Sequence, residues 1–186
     1  YNTEQALDLA RQIMGFIQRT AIEASAELAK KRGNFTNYDK SVFKESGVPR
    51  RNATCTTIAP TGTLSILGNC SSGIEPLFAL SFVRNVMDND KLVEVNPYFE
   101  AAAREGGFYS DELMERISAE GSVHALEEVP PELRRVYVTA HDVSPEWHVR
   151  MQAAFQEFTD NAVSKTVNMP AEATVEDVRE VYDMAY

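Results

Sequence analysis

The segment from Arg51 to Pro76, RNATCTTIAPTGTLSILGNCSSGIEP, constrains the fold of this chain more than any other stretch. Its first part, Ala53 to Ile58, is rich in β-branched residues and is typical of a buried strand. A sharp turn at residues 59–63 follows, then a short apolar segment and a second polar turn at residues 69–73. The pattern predicts a strand that passes through a Pro/Thr/Gly turn directly into a helix.

The turn Pro60-Thr61-Gly62-Thr63 has the residue types of an anion-binding turn. Gly62 lets the backbone approach a ligand closely, and Thr61 and Thr63 supply hydroxyl groups. A helix that begins here directs several backbone N–H groups toward one point. The Gly-Lys-Ser/Thr core of a Walker P-loop is absent. From the residues alone, anion binding and a turn that only connects strand to helix are equally compatible with the sequence.

The composition is typical of a globular domain with a sizeable core. The chain has 186 residues, of which 44% are hydrophobic and 25% are charged. A net charge of −10 disfavours binding to a nucleic acid polymer, and no apolar run is long enough to predict a membrane span. Two cysteines are too few for a disulfide scaffold and fit a reducing, cytoplasmic compartment. Residue 1 is Tyr and residue 186 lies in a helical pattern, so we expect one domain, residues 1–186, incomplete at both ends.

A long amphipathic helix is predicted at the N-terminus, with Thr3 as its N-cap and Gly33 just after its end. The residues predicted to face the core recur at spacings of three and four: Leu7, Ala10, Met14, Ile17, Ala21, Ala24 and Leu28. Residues 34–49 are expected to form a surface loop pinned by the aromatic residues Phe35, Tyr38 and Phe43.

The second half alternates predicted helices with strand-like segments. Helices are expected to begin after the capping residues Asn96, Ser110, Ser144 and Thr174. Residues 77–87 are predicted to form a buried strand or a short apolar run, and residues 164–169 alternate like a strand. In the helix after Ser144, the expected core stripe is Trp147, Met151, Phe155, Phe158 and Ala162. This order of elements is of the α/β class.

Histidine and cysteine residues do not predict a metal or redox site. His124, His141 and His148 are dispersed and have no metal-ligand spacing. We expect His141 to belong to a turn and His148, next to the apolar stripe, to be solvated. Cys55 and Cys70 flank the Pro/Thr/Gly turn without a C-x-x-C spacing, so a redox pair is not favoured and Cys55 is expected to be a buried, inert thiol.

Residues 52–80, NATCTTIAPTGTLSILGNCSSGIEPLFAL, resemble the C-terminal barrel portion of ribonucleotide reductase large subunits. The resemblance is greatest to the adenosylcobalamin-dependent (class II) type. It extends upstream through GNFTNYDKSVFKESG and downstream through DNAVSKTVNMPAEATVEDVREVYDMAY. The resemblance implies a ten-stranded α/β barrel, present here in part as a helix-rich fragment, with the substrate lying across the barrel mouth.

The resemblance also implies roles for two turns. The turn from Pro60 to Leu64 would hold the substrate's phosphates, through the N–H groups of Gly62, Thr63 and Leu64 and the hydroxyls of Thr61 and Thr63. A second turn would line the same barrel mouth with residues Ser72, Gly73, Ile74, Glu75 and Pro76.

The chemistry of the family is radical chemistry, and this sequence lacks residues that the chemistry needs. Family members use adenosylcobalamin to form a cysteine thiyl radical, which removes the 3′-hydrogen of the ribose, and a dithiol or thioredoxin-type reductant restores the enzyme. The Asn-Pro-Cys-Gly-Glu loop of the thiyl cysteine is absent from these 186 residues. Neither Cys55 nor Cys70 matches a catalytic position, so no catalytic residue is expected here and the fragment alone is predicted to be inactive.

Two alternatives to a cobalamin-dependent reductase remain at this point. The large subunit of an iron-dependent (class I) reductase shares the barrel and the turn. A non-catalytic nucleotide-binding module could use a similar turn. The sequence also leaves open whether the substrate is a diphosphate or a triphosphate and whether the protein forms a homodimer.

Overall fold

The computed structural model describes residues 1–85 and 91–186. The helices in these residues are α1 (Glu4–Arg32), α2 (Phe43–Ser46), α3 (Gly62–Gly68), α4 (Pro97–Glu105), α5 (Asp111–Glu120), α6 (Pro131–Val136), α7 (Pro145–Gln156) and α8 (Val175–Ala185), with a 3₁₀ turn at Tyr38–Lys40. Strands β1 (Ser81–Asn85) and β2 (Lys91–Val95) pair antiparallel, with Ser81 opposite Val95. No helix within the described residues is both long and apolar enough to cross a membrane.

Helix α1 forms as predicted and ends at the predicted residues. The Thr3 hydroxyl accepts a hydrogen bond from the N–H of Ala6 at 3.1 Å. Gly33 has a φ of 78°, and its N–H donates to the carbonyl of Ala29 at 2.8 Å. These bonds satisfy backbone groups that the helix ends leave without partners.

The buried face of α1 follows the predicted stripe only through Met14. Ile17 and Leu28 are exposed, and Ser25 is buried instead. The reason is a change of partner along the helix. The first half of α1 packs on α7, whereas Ser25 accepts the N–H groups of Arg51 and Asn52, at 3.1 and 3.0 Å.

Two separate clusters of buried residues form the core of the described chain. In the first, Leu7 and Ala10 of α1 pack against Met151 and Ala154 of α7. The second lies around α4 and α5 and consists of Leu80, Phe99, Ala103, Leu113, Met114, Ile117, Val123, Leu126 and Val129. Ile74 packs against the first cluster and Leu77 against the second, so residues 74–77 link them.

The predicted strands are shorter in the structure than in the sequence analysis. Ile58 forms an isolated parallel bridge with Val163, and Leu77 forms another with Thr139. The rest of the predicted strand at residues 53–58, and residues 164–169, carry no continuous ladder. A ladder needs paired neighbours along its length, and the described residues provide this at single positions. The prediction for residues 77–87 is correct only from Ser81 onward, and residues 86–87 lie outside the described residues.

The N-cap residues predicted in the second half of the chain are correct with one exception. Asn96 caps α4, Ser110 caps α5, and Thr174 caps α8. Ser144 precedes α7, but its hydroxyl makes no capping hydrogen bond, and nothing in the structure explains why. In the stripe predicted for this helix, Trp147, Met151 and Phe155 belong to or pack against the first cluster. Ala162 is exposed because α7 ends at Gln156.

Residues 34–49, predicted as a loop, contain the 3₁₀ turn and the short helix α2. The segment is pinned by aromatic contacts, as predicted. Tyr38 is buried, and its ring and that of Phe43 each contact Phe35 edge-to-face. The hydroxyl of Tyr38 donates to the carbonyl of Val48 at 2.9 Å.

Candidate functional site

The Pro60–Leu64 turn leads into α3 through a residue in a left-handed conformation. Thr61 has φ 53° and ψ 28°, which is rare for a β-branched residue and costs free energy. The first hydrogen bond of the helix joins the N–H of Ser65 to the carbonyl of Thr61 at 2.8 Å. The N–H groups of Gly62, Thr63 and Leu64 therefore lie ahead of that bond, and they donate to no acceptor in the part of the chain that the structure describes.

The three free N–H groups are accessible. Gly62, Thr63 and Leu64 are exposed, and a Cβ added to Gly62 would meet no atom within 4 Å. The hydroxyl of Thr63 makes no hydrogen bond to the described residues. Adjacent N–H groups and a nearby hydroxyl are the type of donors that bind anions.

The second turn, residues 72–76, holds the Pro60–Leu64 turn in place. The N–H of Gly73 donates to the Thr61 hydroxyl oxygen at 2.9 Å, and the Ser72 hydroxyl donates to the carbonyl of Pro60. Gly73 has a φ of 54°, and a Cβ there would lie 3.2 Å from the carbonyl oxygen of Ala59. The structure thus brings together the two turns that the sequence analysis assigned to one mouth, and it leaves the Thr61 hydroxyl hydrogen free to donate.

A cleft of about 960 Å³ lies beside these turns. Ser72, Glu75 and Pro76 line it, whereas residues 60–64 lie outside its wall. Tyr98 and Tyr137 also line it, and the Tyr137 hydroxyl donates to the carbonyl of Tyr98 at 3.0 Å. Of the remaining residues in the second turn, Ile74 packs against the first core cluster, and its carbonyl accepts a hydrogen bond from the Tyr1 hydroxyl at 3.0 Å.

Below the second turn, Glu75 forms an ion pair with a buried lysine that the sequence analysis did not identify. The Nζ of Lys165 lies 2.5 Å from Oε2 of Glu75, and the Lys165 side chain is 0% exposed. Desolvation lowers the pKa of Lys165, and Glu75 opposes this change. The lysine interrupts an apolar alternation in residues 164–169, which is the one signal that could have identified it.

Tyr1 and His148 lie near this ion pair. The Nζ of Lys165 is 6.0 Å from the centre of the Tyr1 ring, and the Tyr1 ring is 6.2 Å from that of His148. Burial, together with the charge of Glu75, raises the pKa of the Tyr1 hydroxyl, so it remains a hydrogen-bond donor.

The expectation that His148 is solvated is wrong. Its side chain is completely buried, and Nε2 donates to the carbonyl of Ala140 at 3.1 Å. Desolvation lowers the pKa of the imidazole, and the charge of Lys165 lowers it further. The Trp147 stripe did not predict this burial, because α7 is buried on more than the one face that contains the stripe.

Both cysteines are free thiols, and His141 packs against an aromatic ring. His141 lies in a turn, as expected, and packs edge-to-face on Phe78. Cys55 is half-buried rather than fully buried, and Cys70 is exposed at the edge of the cleft.

Comparisons with known proteins agree with the resemblance seen in the sequence. The family model described as the ribonucleotide reductase barrel domain matches residues 1–186. The chain is 46% identical over 185 residues to the vitamin B12-dependent ribonucleoside-diphosphate reductase of Thermoplasma acidophilum, which covers 100% of this chain and 24% of the relative. The protein of the same name from Mycobacterium tuberculosis (strain CDC 1551 / Oshkosh) is 47% identical over 186 residues, 100% of this chain and 27% of the relative.

A solved structure supports the fold. The α subunit of the Actinobacillus ureae class Id ribonucleotide reductase matches with a TM-score of 0.81 and 28% identity, over 99% of this chain and 32% of that one. The chain spans about a quarter of the length of the two curated relatives. The predicted α/β barrel fold and the resemblance to the cobalamin-dependent type are confirmed, and the chain belongs to the ribonucleotide reductase barrel-domain family.

Proposed function

We propose that this chain is part of the catalytic barrel of a cobalamin-dependent ribonucleotide reductase, which converts ribonucleotides to 2′-deoxyribonucleotides. Within that enzyme, Pro60 to Leu64 hold the phosphates of the substrate. The observation that supports this role is a set of three N–H groups, those of Gly62, Thr63 and Leu64, which have no acceptor among the described residues. They follow Thr61, which is in the left-handed conformation, in a turn fixed by Ser72 and Gly73. The identity to relatives named vitamin B12-dependent is higher than that to the class Id subunit, which favours the cobalamin-dependent type over the class I alternative.

The local charge of the backbone, rather than the net charge of the chain, suits this role. With a net charge of −10, the chain repels a polyphosphate at long range. Backbone N–H groups supply partial positive charge at one point without a cationic side chain, and they are already oriented before the anion arrives. The turn would fix one end of the substrate, and Ser72 and Pro76 of the neighbouring cleft would contact the part next to the phosphates, while the Glu75 carboxylate pairs with Lys165.

The chemical step belongs to the proposed whole enzyme. Adenosylcobalamin would supply the radical when bound. Among the described residues, no three His, Cys, Asp or Glu side chains are grouped so that they could hold a metal ion. The role proposed for this chain is binding and orientation of the substrate.

The proposal also covers the domain, the partners, the compartment and the assembly of the enzyme. Residues 1–186 form a portion of one barrel domain. The partners are a ribonucleotide and a dithiol or thioredoxin-type reductant, the compartment is the cytoplasm, and assembly as a homodimer is compatible with this role.

Replacement of Gly62 by Asp tests the phosphate role. The change places a carboxylate beside the three N–H groups, and we expect it to weaken binding of a ribonucleoside diphosphate by about 2 kcal/mol, or roughly thirtyfold. The measurement is calorimetric titration of the full-length protein. The fold should tolerate Asp, because a Cβ at Gly62 meets no neighbouring atom and an acidic residue in the first turn of a helix is favourable.

The matched control is Gly62→Asn, which has the same shape and no charge. We expect Asn to weaken binding much less than Asp does, with equal melting temperatures for the two variants. Equal affinities of the Asp and Asn variants would show that no anion binds at this turn.

A further inference from the structure

The carboxylate of Glu75 joins the second turn to the segment at residues 164–166. Its Oε2 pairs with Nζ of Lys165 at 2.5 Å, and its Oε1 accepts the N–H of Thr166 at 2.7 Å. The same Lys165 ammonium group also donates to the carbonyl of Thr166. Glu75 is 24% exposed while the lysine side chain is fully buried, so the carboxylate is the outer member of the pair.

The segment at residues 162–166 also holds the chain on the other side of the phosphate turn. The N–H of Ile58 donates to the carbonyl of Ala162 at 3.2 Å, and the N–H of Ser164 donates to the carbonyl of Ile58 at 2.8 Å. Ile58 lies two residues before Pro60. One short segment therefore anchors both the entry to the phosphate turn and the second turn that holds Thr61.

We propose that Lys165 and Glu75 are positioning residues that fix the phosphate-binding turn, an inference that rests on the function proposed above. The path runs from Lys165 to Glu75, then along the backbone to Gly73, and through the Gly73 N–H to the Thr61 hydroxyl. Neither charged group touches the phosphates in this arrangement. Their effect is to hold Thr61 in its left-handed conformation, so that the next three N–H groups converge.

Because Lys165 is more deeply buried than Glu75, removal of the carboxylate and removal of the ammonium group have different costs. A buried ammonium without its carboxylate is strongly unfavourable, so Glu75→Gln leaves the enclosed Lys165 charge unbalanced. Removal of the lysine leaves a carboxylate that is partly exposed to water and still bonded to Thr166. Glu75→Gln is therefore the more disruptive change, and the double variant Glu75→Gln with Lys165→Met removes both charges while an amide oxygen can still accept the Thr166 N–H.

The test is steady-state kinetics of the full-length reductase with its cofactor and a dithiol reductant. We expect Lys165→Met to raise KM for the ribonucleotide about tenfold with kcat within about twofold, because loss of uniform substrate binding affects KM alone. Glu75→Gln should raise KM further, and the double variant should lie between wild type and Glu75→Gln, at least about threefold above wild type. The control is Lys44→Met, which removes an exposed ion pair with Asp39 at 3.1 Å and should leave KM unchanged.

Melting temperatures and the Gly62→Asp variant distinguish a positioning role of the pair from a role in stability alone. A pair that only stabilises the fold would lower the melting temperature of the single variants without changing KM in the folded double variant, and this result would overturn the inference. Gly62→Asp is assayed in parallel. If it raises KM while the pair variants do not, the positioning role alone is wrong; if it leaves KM unchanged, the phosphate role itself is wrong.

Discussion

At the scale of single residues, His148 links burial to a pH dependence. Desolvation lowers the pKa of the folded imidazole below its ordinary value of 6.5, and the nearby Lys165 and His141 charges act in the same direction, opposed by Glu75 and the Ala140 carbonyl. Below pH 6.5 the unfolded chain binds a proton that the folded chain does not. His148 therefore contributes a loss of stability as the pH falls from 6.5 toward the lower, folded-state pKa.

We expect urea unfolding to show this loss as a lower midpoint at pH 5.5 than at pH 7.5. The variant His148→Gln keeps a side-chain N–H that can reach the Ala140 carbonyl and has no group that titrates in this range. Its midpoint should therefore fall less between the two pH values. An equal decrease in wild type and variant would show that other groups cause the pH dependence.

The same residue shows what a helical stripe can predict. The stripe through Trp147 and Met151 predicts one face of α7, and these residues do pack in the first cluster. His148 and Val149 lie off that stripe and are nevertheless buried. Burial on a second face depends on segments outside the helix, such as residues 139–140, and these carry no periodic signal in α7.

At the scale of elements, the two turns were predictable because their chemistry is local. A Pro, two Thr and a Gly at residues 60–63 predict a tight turn before a helix, and α3 begins at Gly62. The extent of the strands was not predictable in this way, because a strand is defined by pairing with distant residues. The burial of Lys165 was not predictable for the same reason, since its partner Glu75 is 90 residues away.

Helix α1 offers a direct test of which face is buried. Leu7 is 1% exposed and packs on α7, whereas Leu9 is 55% exposed. We expect Leu7→Ala to lower the free energy of unfolding by about 2–5 kcal/mol, because it removes buried methyl groups and leaves a cavity. Leu9→Ala should change it by no more than about 0.5 kcal/mol. Chemical denaturation followed by circular dichroism measures both, and equal effects would show that α1 does not pack through the Leu7 face.

At the scale of the whole molecule, the candidate site lies where the two core clusters meet. Ile74 packs against the cluster of α1 and α7, and Leu77 packs against the cluster of α4 and α5. Glu75, between them, connects to Lys165. The sequence could predict the residue types of this segment, but not its location between two cores, because that depends on contacts between residues far apart in the chain.

This arrangement predicts that the two clusters unfold together. Ile117 is 0% exposed in the second cluster, and we expect Ile117→Ala to lower the free energy of unfolding by about 2–5 kcal/mol. The chain has one tryptophan, Trp147, which packs against the first cluster. Its fluorescence therefore reports on the cluster that the substitution does not touch. If residues 74–77 couple the clusters, the fluorescence midpoint in urea should shift as much as the circular dichroism midpoint.

The control for this experiment is Val136→Ala, since Val136 is 66% exposed and its truncation should shift neither signal. A fluorescence midpoint that stays at the wild-type value in Ile117→Ala, while the circular dichroism midpoint falls, would show that the clusters unfold separately. The turn at residues 72–76 would then lie at a boundary between two units that move independently. A phosphate-binding turn fastened to that boundary would lose its fixed geometry, so coincident unfolding is also what the proposed function requires of the fold.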